Sequence, residues 1–408
     1  MINEDTTSQA VYFTSLSIEG VNCFKKKQTI DLTDGKGNPA MWTVILGNNN
    51  TGKTTLLRCL ALLESEYEDG GYSPRLTYFL PTSANAILSE IESTLNIDID
   101  DVWSYSEENF RNALAATYTE DDRLANLIID AYGTQRKEGK GKFLGYKLEN
   151  RTESLFKDDV DSIINAEEWF LGIDYNALKG GQKFSQNLLQ IKTALISILP
   201  DIKDIEINED GERRVHFITN TDEKVLVNQL GSGYQSLVTW IVDFAKRMFD
   251  RYPKSDNPLA EPAIVLVDEI DLHLHPEWQR KIVSFLRNRF PKTQFIVTAH
   301  SPLVIQSADD INVVVLQKNE ETDEVTIYQP KETNFQGWTV EEILSDLMGM
   351  GDKIHSNAYL KWMKQFDKAL DQEDYNSAKE AYEELSKIVY SSATLKMLKL
   401  QMTSLMPN

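Results

Sequence analysis

Eight consecutive residues, Gly47-Asn48-Asn49-Asn50-Thr51-Gly52-Lys53-Thr54, match the spacing G-x-x-x-x-G-K-[ST]. Chemistry explains the spacing. Between a strand and a helix, such a loop turns its backbone N–H groups toward phosphate oxygens at the positive end of the helix dipole. Gly47 and Gly52 provide the turn and the close backbone approach. Lys53 neutralises the β- and γ-oxygens, and the Thr54 hydroxyl ligates Mg²⁺. Asn50 stands where many such loops carry glycine, and Asn tolerates a positive φ better than most residues. With Thr55 in the following turn, the segment is expected to bind ATP with Mg²⁺.

A second constellation is Ala263-Ile264-Val265-Leu266-Val267-Asp268-Glu269, an apolar strand ending in two carboxylates. At the C-terminal end of a parallel strand these face the ligand crevice. Asp268 is expected to hold the Mg²⁺ shell and Glu269 to polarise the attacking water as general base. Asp271, His273 and His275 follow at two-residue spacing. With Glu269 they would align as a metal cluster if the strand continued. Pro276 and the amphipathic helix after it favour a loop instead.

Two weaker signals lie on either side of the acidic pair. Leu230-Gly231-Ser232-Gly233-Tyr234-Gln235 precedes a long helix. A Ser-Gly turn there either caps the helix or offers a hydroxyl and free N–H groups to an anion. His300 ends an apolar strand, in Thr298-Ala299-His300-Ser301-Pro302. It is either a satisfied structural histidine or a side chain in reach of a γ-phosphate.

These residues need a scaffold of parallel strands. Val11–Ile18 and Met41–Leu46 read as strands and Lys53–Leu63 as a helix. Ala263–Val267, Glu277–Phe290 and Gln294–Ala299 form a βαβ unit, hence two parallel strands. Asn312–Leu316 and Val325–Tyr328 read as a closing hairpin. Between the two halves, Ala84–Leu95, Glu107–Ala116, Leu124–Tyr132, Val160–Phe170 and Gln186–Leu199 carry helical apolar spacing, with a strand expected at Lys142–Leu148. The expected class is α/β: a P-loop ATPase head with a mixed sheet, a helical insertion lobe and a helical C-terminal tail. The expected divisions are residues 1–81 and 206–335 for the two parts of the core, 82–205 for the insertion and 336–408 for the tail.

Composition excludes other classes. The 408 residues are 41% hydrophobic and 26% charged, which is ordinary for a globular chain. The two cysteines, Cys23 and Cys59, rule out a disulfide scaffold and suit a reducing cytoplasm. No apolar run is long enough to span a bilayer, and the N-terminus has neither the basic start nor the apolar core of a signal peptide. The net charge of −21 repels nucleic acid overall, so any contact needs a local basic surface or a partner. Lys25–Lys27 and Arg136, Lys137, Lys140 and Lys142 are the noticeable basic clusters, each readable as a solvated loop or a DNA contact.

The order of these motifs resembles the ABC-type ATPase core, in the branch containing RecF, the SMC-like repair ATPases and the OLD-family ATPases. Glu269-Ile270-Asp271-Leu272-His273-Leu274-His275-Pro276 and Ala299-His300-Ser301-Pro302 are characteristic of OLD-like and defence-associated members. The resemblance covers residues 11–66 and 220–320 well. It implies that Ser232, Gly233 and Gln235 act in trans on the ATP of a second copy, giving a homodimer or higher oligomer, and that His300 is a switch histidine. It also implies a Mg²⁺-sensing glutamine, but no Gln occurs between Lys53 and Gln135, so that role is left unassigned. After His300 there is no Glu followed by an Asp-x-Asp cluster of the kind a Toprim nuclease needs. A short ATPase of this branch without a nuclease resembles the PtuA ATPases of Septu-type anti-phage systems, including those paired with retrons; the PARIS-system ATPase is a near neighbour. That implies a separate HNH-type nuclease, nucleic acid reached through the complex, a reverse transcriptase in retron settings, and no membrane. A repair ATPase acting directly on DNA and a nucleotide-gated scaffold with negligible turnover are the alternatives. The apolar positions Leu395, Met397, Leu398, Leu400, Met402, Leu405 and Met406 form either a partner dock or packing for the chain's own lobe.

Overall fold

The computed structural model describes residues 10–63, 65–68, 71–74, 90–95, 127–136, 151–157, 163–180, 182–199, 201–208, 213–306, 308–319 and 321–406. In chain order the elements are β1 (Phe13–Glu19), β2 (Gln28–Asp31), β3 (Trp42–Gly47), α1 (Lys53–Ala61), β4 (Ser65–Glu68), β5 (Gly71–Pro74), β6 (Glu90–Leu95), β7 (Ile129–Tyr132), α2 (Ala166–Gly180), α3 (Gln182–Ile198), β8 (Ile202–Ile207), β9 (Val215–Thr219), β10 (Lys224–Val225), α4 (Ser232–Arg251), β11 (Ala263–Val267), α5 (Pro276–Arg289), β12 (Thr293–Ala299), α6 (Leu303–Gln306), β13 (Asn312–Lys318) and β14 (Val325–Tyr328). Three further helices follow: α7 (Asn357–Asp371), α8 (Tyr375–Ile388) and α9 (Ser392–Thr403). The chain divides into two compact units between Trp338 and Thr339.

The first unit is organised around a six-stranded sheet of order β14-β13-β3-β12-β11-β7. Its strands are parallel except β14, which runs antiparallel to β13. Every residue of β3, β11 and β12 is buried. This is the pattern of strands covered on both faces, and it explains the unbroken apolar run of β11 and the mostly apolar β3 and β12. Trp42 on β3 stacks on Phe295 of β12, with ring centroids 4.4 Å apart. Because the central strands are parallel, their C-terminal ends share one edge of the sheet. The phosphate loop, the acidic pair and His300 all follow such ends.

Two stretches expected as helices contain strands. Glu90–Leu95 pairs antiparallel with β1, beside β2. Ile129–Tyr132 is the edge of the main sheet, parallel to β11 with Tyr132 opposite Val267. Short apolar runs satisfy both periods, and here tertiary pairing decides. The readings at 107–116 and 142–148 lie outside the described residues. The segment counted among the basic clusters is also corrected in part, because Arg136 is buried. Lys26 pairs with Glu324 at 3.0 Å, and Lys25 Nζ donates to the Thr322 carbonyl at 3.3 Å.

The second unit is helical. Ser356, Asp374 and Ser391 cap α7, α8 and α9 by accepting backbone N–H groups of the first turn. Phe366, Ala378, Leu385, Leu398 and Met402 form its core. The tail helix α9 is therefore split: Leu398 and Met402 are buried, whereas Met397 and Leu400 are exposed. Among the described residues, no helix is long and apolar enough to cross a membrane.

Candidate nucleotide site

The phosphate loop joins β3 to α1, and its glycines answer to sterics. Gly52 caps α1 with φ +89, and a Cβ there would lie 2.6 Å from Cys23 Sγ. Asn50 also adopts a positive φ, of 60°. Lys53 Nζ donates to the carbonyls of Gly47 and Asn48, each at 2.9 Å. Burial pulls the Lys53 amine below its usual range, against the carboxylates of Asp268, Glu269 and Asp271. An anion at the loop restores the counter-charge that burial has removed.

Across the loop stands the acidic pair. Thr54 Oγ1 donates to Asp268 Oδ2 at 2.7 Å, and Thr298 Oγ1 donates to Asp268 Oδ1 at 2.6 Å. The Glu269 N–H donates to the same Thr298 oxygen at 2.7 Å. Glu269 Oε1 lies 3.3 Å from His300 Nε2. Residues 49–55, Glu269 and His300 line one cavity of about 470 Å³. Thr54 and Asp268 are hard oxygen donors meeting at one point, a set that suits Mg²⁺ completed by phosphate and water rather than a softer metal.

Gly233 and Gln235 are not in that lining. Ser232 opens α4, and Gln235 Nε2 donates back to the Leu230 carbonyl at 2.7 Å. Gly233 packs against the loop after the acidic pair, where a Cβ would fall 1.9 Å from the His273 carbonyl oxygen. Nor do Glu269, Asp271, His273 and His275 gather as a metal cluster. The Asp271 carboxylate instead accepts the N–H groups of His300 (3.1 Å) and Ser301 (2.7 Å). His275 caps α5 by accepting the Glu277 N–H at 3.4 Å. Among the described residues no group of three His, Cys, Asp or Glu side chains could hold a metal ion.

The structure adds residues that sequence reasoning missed. Thr298 and Asp271 fix the acidic pair and the His300 turn, although both sat within segments already singled out. Arg136 buries its guanidinium against the backbone of the acidic pair. Burial lowers that guanidinium to about 10, against the raising influence of Asp268, Asp271 and Glu269, so it stays charged at neutral pH. Behind the site, Tyr132 donates to Asp243 Oδ2 at 2.8 Å, and Arg247 pairs with Asp243 (2.6 Å) and Asp130 (3.2 Å). This buried cluster joins α4 to β7.

A phosphate loop, an acidic pair and a histidine at one edge of a largely parallel sheet define a P-loop ATPase head of the ABC type. Residues 42–306 match the family described as "AAA domain, putative AbiEii toxin, Type IV TA system". The match spans more than half of the chain, and the chain belongs to this AAA-domain family. It is 28% identical to the "Septu protein PtuA" of Bacillus thuringiensis, covering 88% of this chain and 91% of that protein. A second "Septu protein PtuA", from Bacillus mycoides (strain KBAB4), is 28% identical over 86% of this chain, which spans only 48% of that longer protein. The "Retron Vc95 probable ATPase" of Vibrio cholerae serotype O1 biovar El Tor is 26% identical, covering 88% of this chain and 84% of that one. Among solved structures, an SMC head domain from Pyrococcus furiosus with an extended coiled coil, bound to the C-terminal domain of ScpA, is 15% identical with a TM-score of 0.42, covering 85% of this chain and 100% of that one. The chain thus resembles the Septu and retron ATPases over most of its length.

Proposed function

We propose that the chain binds and hydrolyses ATP and uses that cycle to regulate a separate effector nuclease in anti-phage defence. The observation that carries the hydrolytic reading is the 3.3 Å approach of Glu269 to His300 in the cavity of Lys53 and Thr54. The backbone and Lys53 hold the triphosphate. Thr54 and Asp268 would hold Mg²⁺, which would supply charge neutralisation on the phosphates. Glu269 takes the proton from the attacking water, and His300 orients Glu269 and meets the γ-phosphate side.

Ser232, Gly233 and Gln235 complete the site of a second copy, so the working unit is a homodimer or higher oligomer with composite sites. Gly233 and Gln235, which lie outside the chain's own cavity lining, support this reading. The partner readings rest on likeness to the Septu and retron ATPases: an HNH-type nuclease, nucleic acid held through the complex, and a reverse transcriptase in a retron setting. The exposed Met397 and Leu400 on α9 supply a candidate dock. The net charge of −21 weighs against the alternative of a repair ATPase acting directly on DNA.

Phosphate release by the purified chain, with and without duplex DNA, tests the reading. Slow turnover that DNA alone leaves unchanged is expected. Strong direct stimulation by DNA favours the repair alternative, and undetectable turnover with intact ATP binding favours a nucleotide-gated scaffold.

A further inference from the structure

We propose that Arg136 is a positioning residue for ATP hydrolysis, its guanidinium fixing the peptide of Glu269 so that the carboxylate meets His300. The proposal rests on the reading of Glu269 as general base. Arg136 Nη2 donates to the Asp268 carbonyl and, at 2.8 Å, to the Glu269 carbonyl. Its Nε donates to the Gly133 carbonyl at 3.1 Å, tying the fork to the end of β7. One planar group thus spans the carbonyls on both sides of the Glu269 Cα.

That clamp has a specific task. Glu269 has a φ of 49°, a left-handed conformation that a glutamate rarely adopts. Such a conformation persists only where its surroundings over-determine it. Three contacts do so here. Arg136 holds both carbonyls, Thr298 Oγ1 accepts the Glu269 N–H at 2.7 Å, and the Ile270 N–H donates to the Thr298 carbonyl at 2.9 Å. An extended φ at Glu269 would swing its side chain off the line to His300. Arg136 is not itself among the residues lining the cavity, and its hydrogen bonds to the acidic pair go to backbone carbonyls, so it acts as a positioning residue. Lysine cannot replace it: a single ammonium can reach two carbonyls, as Lys53 does, but has no second nitrogen to hold the Gly133 carbonyl at the same time.

The test uses the full chain and four forms: wild type, Arg136→Lys, Glu269→Gln and the double substitution. Turnover is followed by phosphate release, affinity with a fluorescent N-methylanthraniloyl ATP, and folding by thermal melting. Arg136→Lys is expected to lower kcat by about tenfold or more while the affinity changes by less than about twofold. In the Glu269→Gln background the same substitution is expected to slow the residual rate by less than about twofold, because both act on one group. A folded Arg136→Lys with full kcat would overturn the proposal. So would an equal loss in both backgrounds, which marks a merely structural role. Arg136→Gln, which keeps one donor and no charge, is the second form; loss of the melting transition in both Arg136 substitutions also overturns it. Wild-type turnover in Glu269→Gln would instead overturn the base assignment, and the proposal with it.

Discussion

Gly233 and His273 are in backbone contact: a Cβ on Gly233 would fall 1.9 Å from the His273 carbonyl oxygen. The first turn of α4 therefore rests on the loop that follows the acidic pair, and the fit depends on the missing methyl. Gly233→Ala is expected to push that loop aside at a cost of about 1–3 kcal/mol. Turnover should fall while binding of ATP to the chain's own phosphate loop, whose lining does not include Gly233, is kept. Phosphate release and a nucleotide titration on the same preparation check this.

Lys53→Ala and Glu269→Gln should separate binding from chemistry. Removing the buried amine is expected to weaken ATP binding by about 30-fold or more. The isosteric amide should keep binding and slow hydrolysis by about 10²–10⁴. Equal loss of binding in the two would remove Glu269 from its assigned role.

Thr298→Val deletes one donor to Asp268 and the acceptor of the Glu269 N–H. Its side chain is fully buried, so no water replaces either bond. A stability loss of about 1–3 kcal/mol is expected, together with slower turnover. Denaturant unfolding and phosphate release measure the two effects.

Composite sites predict a mixing result. Combining a Lys53→Ala chain with a Ser232→Ala chain leaves at most one intact site in each mixed dimer. Activity should reappear on mixing two forms that are each inactive alone. Its absence, in dimers shown to be mixed by native mass spectrometry, would rule out action of Ser232 in trans.

Met397→Ser with Leu400→Ser tests the dock. Truncating α9 would remove Leu398 and Met402 from the core of the second unit. The two exposed positions avoid that difficulty. Co-purification of an HNH-type nuclease should fall, with the melting temperature unchanged within about 2 °C.

The parts of this molecule visible in its sequence are those whose physics is local. The phosphate loop is contiguous, and β11 is apolar throughout with β3 and β12 mostly so, and these residues announce their burial. The strands at 90–95 and 129–132 are not local in that sense. Asp130 lies in β7 because Arg247, 117 positions away, meets its charge. Arg136 is likewise read as a surface cation until the carbonyls 132 and 133 positions later come into view. Neither partner could be inferred from neighbouring residues.

The buried cluster between α4 and β7 also has a mechanical meaning. Arg247 faces two carboxylates, and Ile164 donates its N–H to the Asp243 oxygen left over, at 3.0 Å. Sliding or peeling the helix from the strand would strand charges in a dry interior, which is far costlier than bending a loop. The joint is therefore a weld rather than a hinge. A displacement of α4 that keeps these pairs intact has to carry β7 with it.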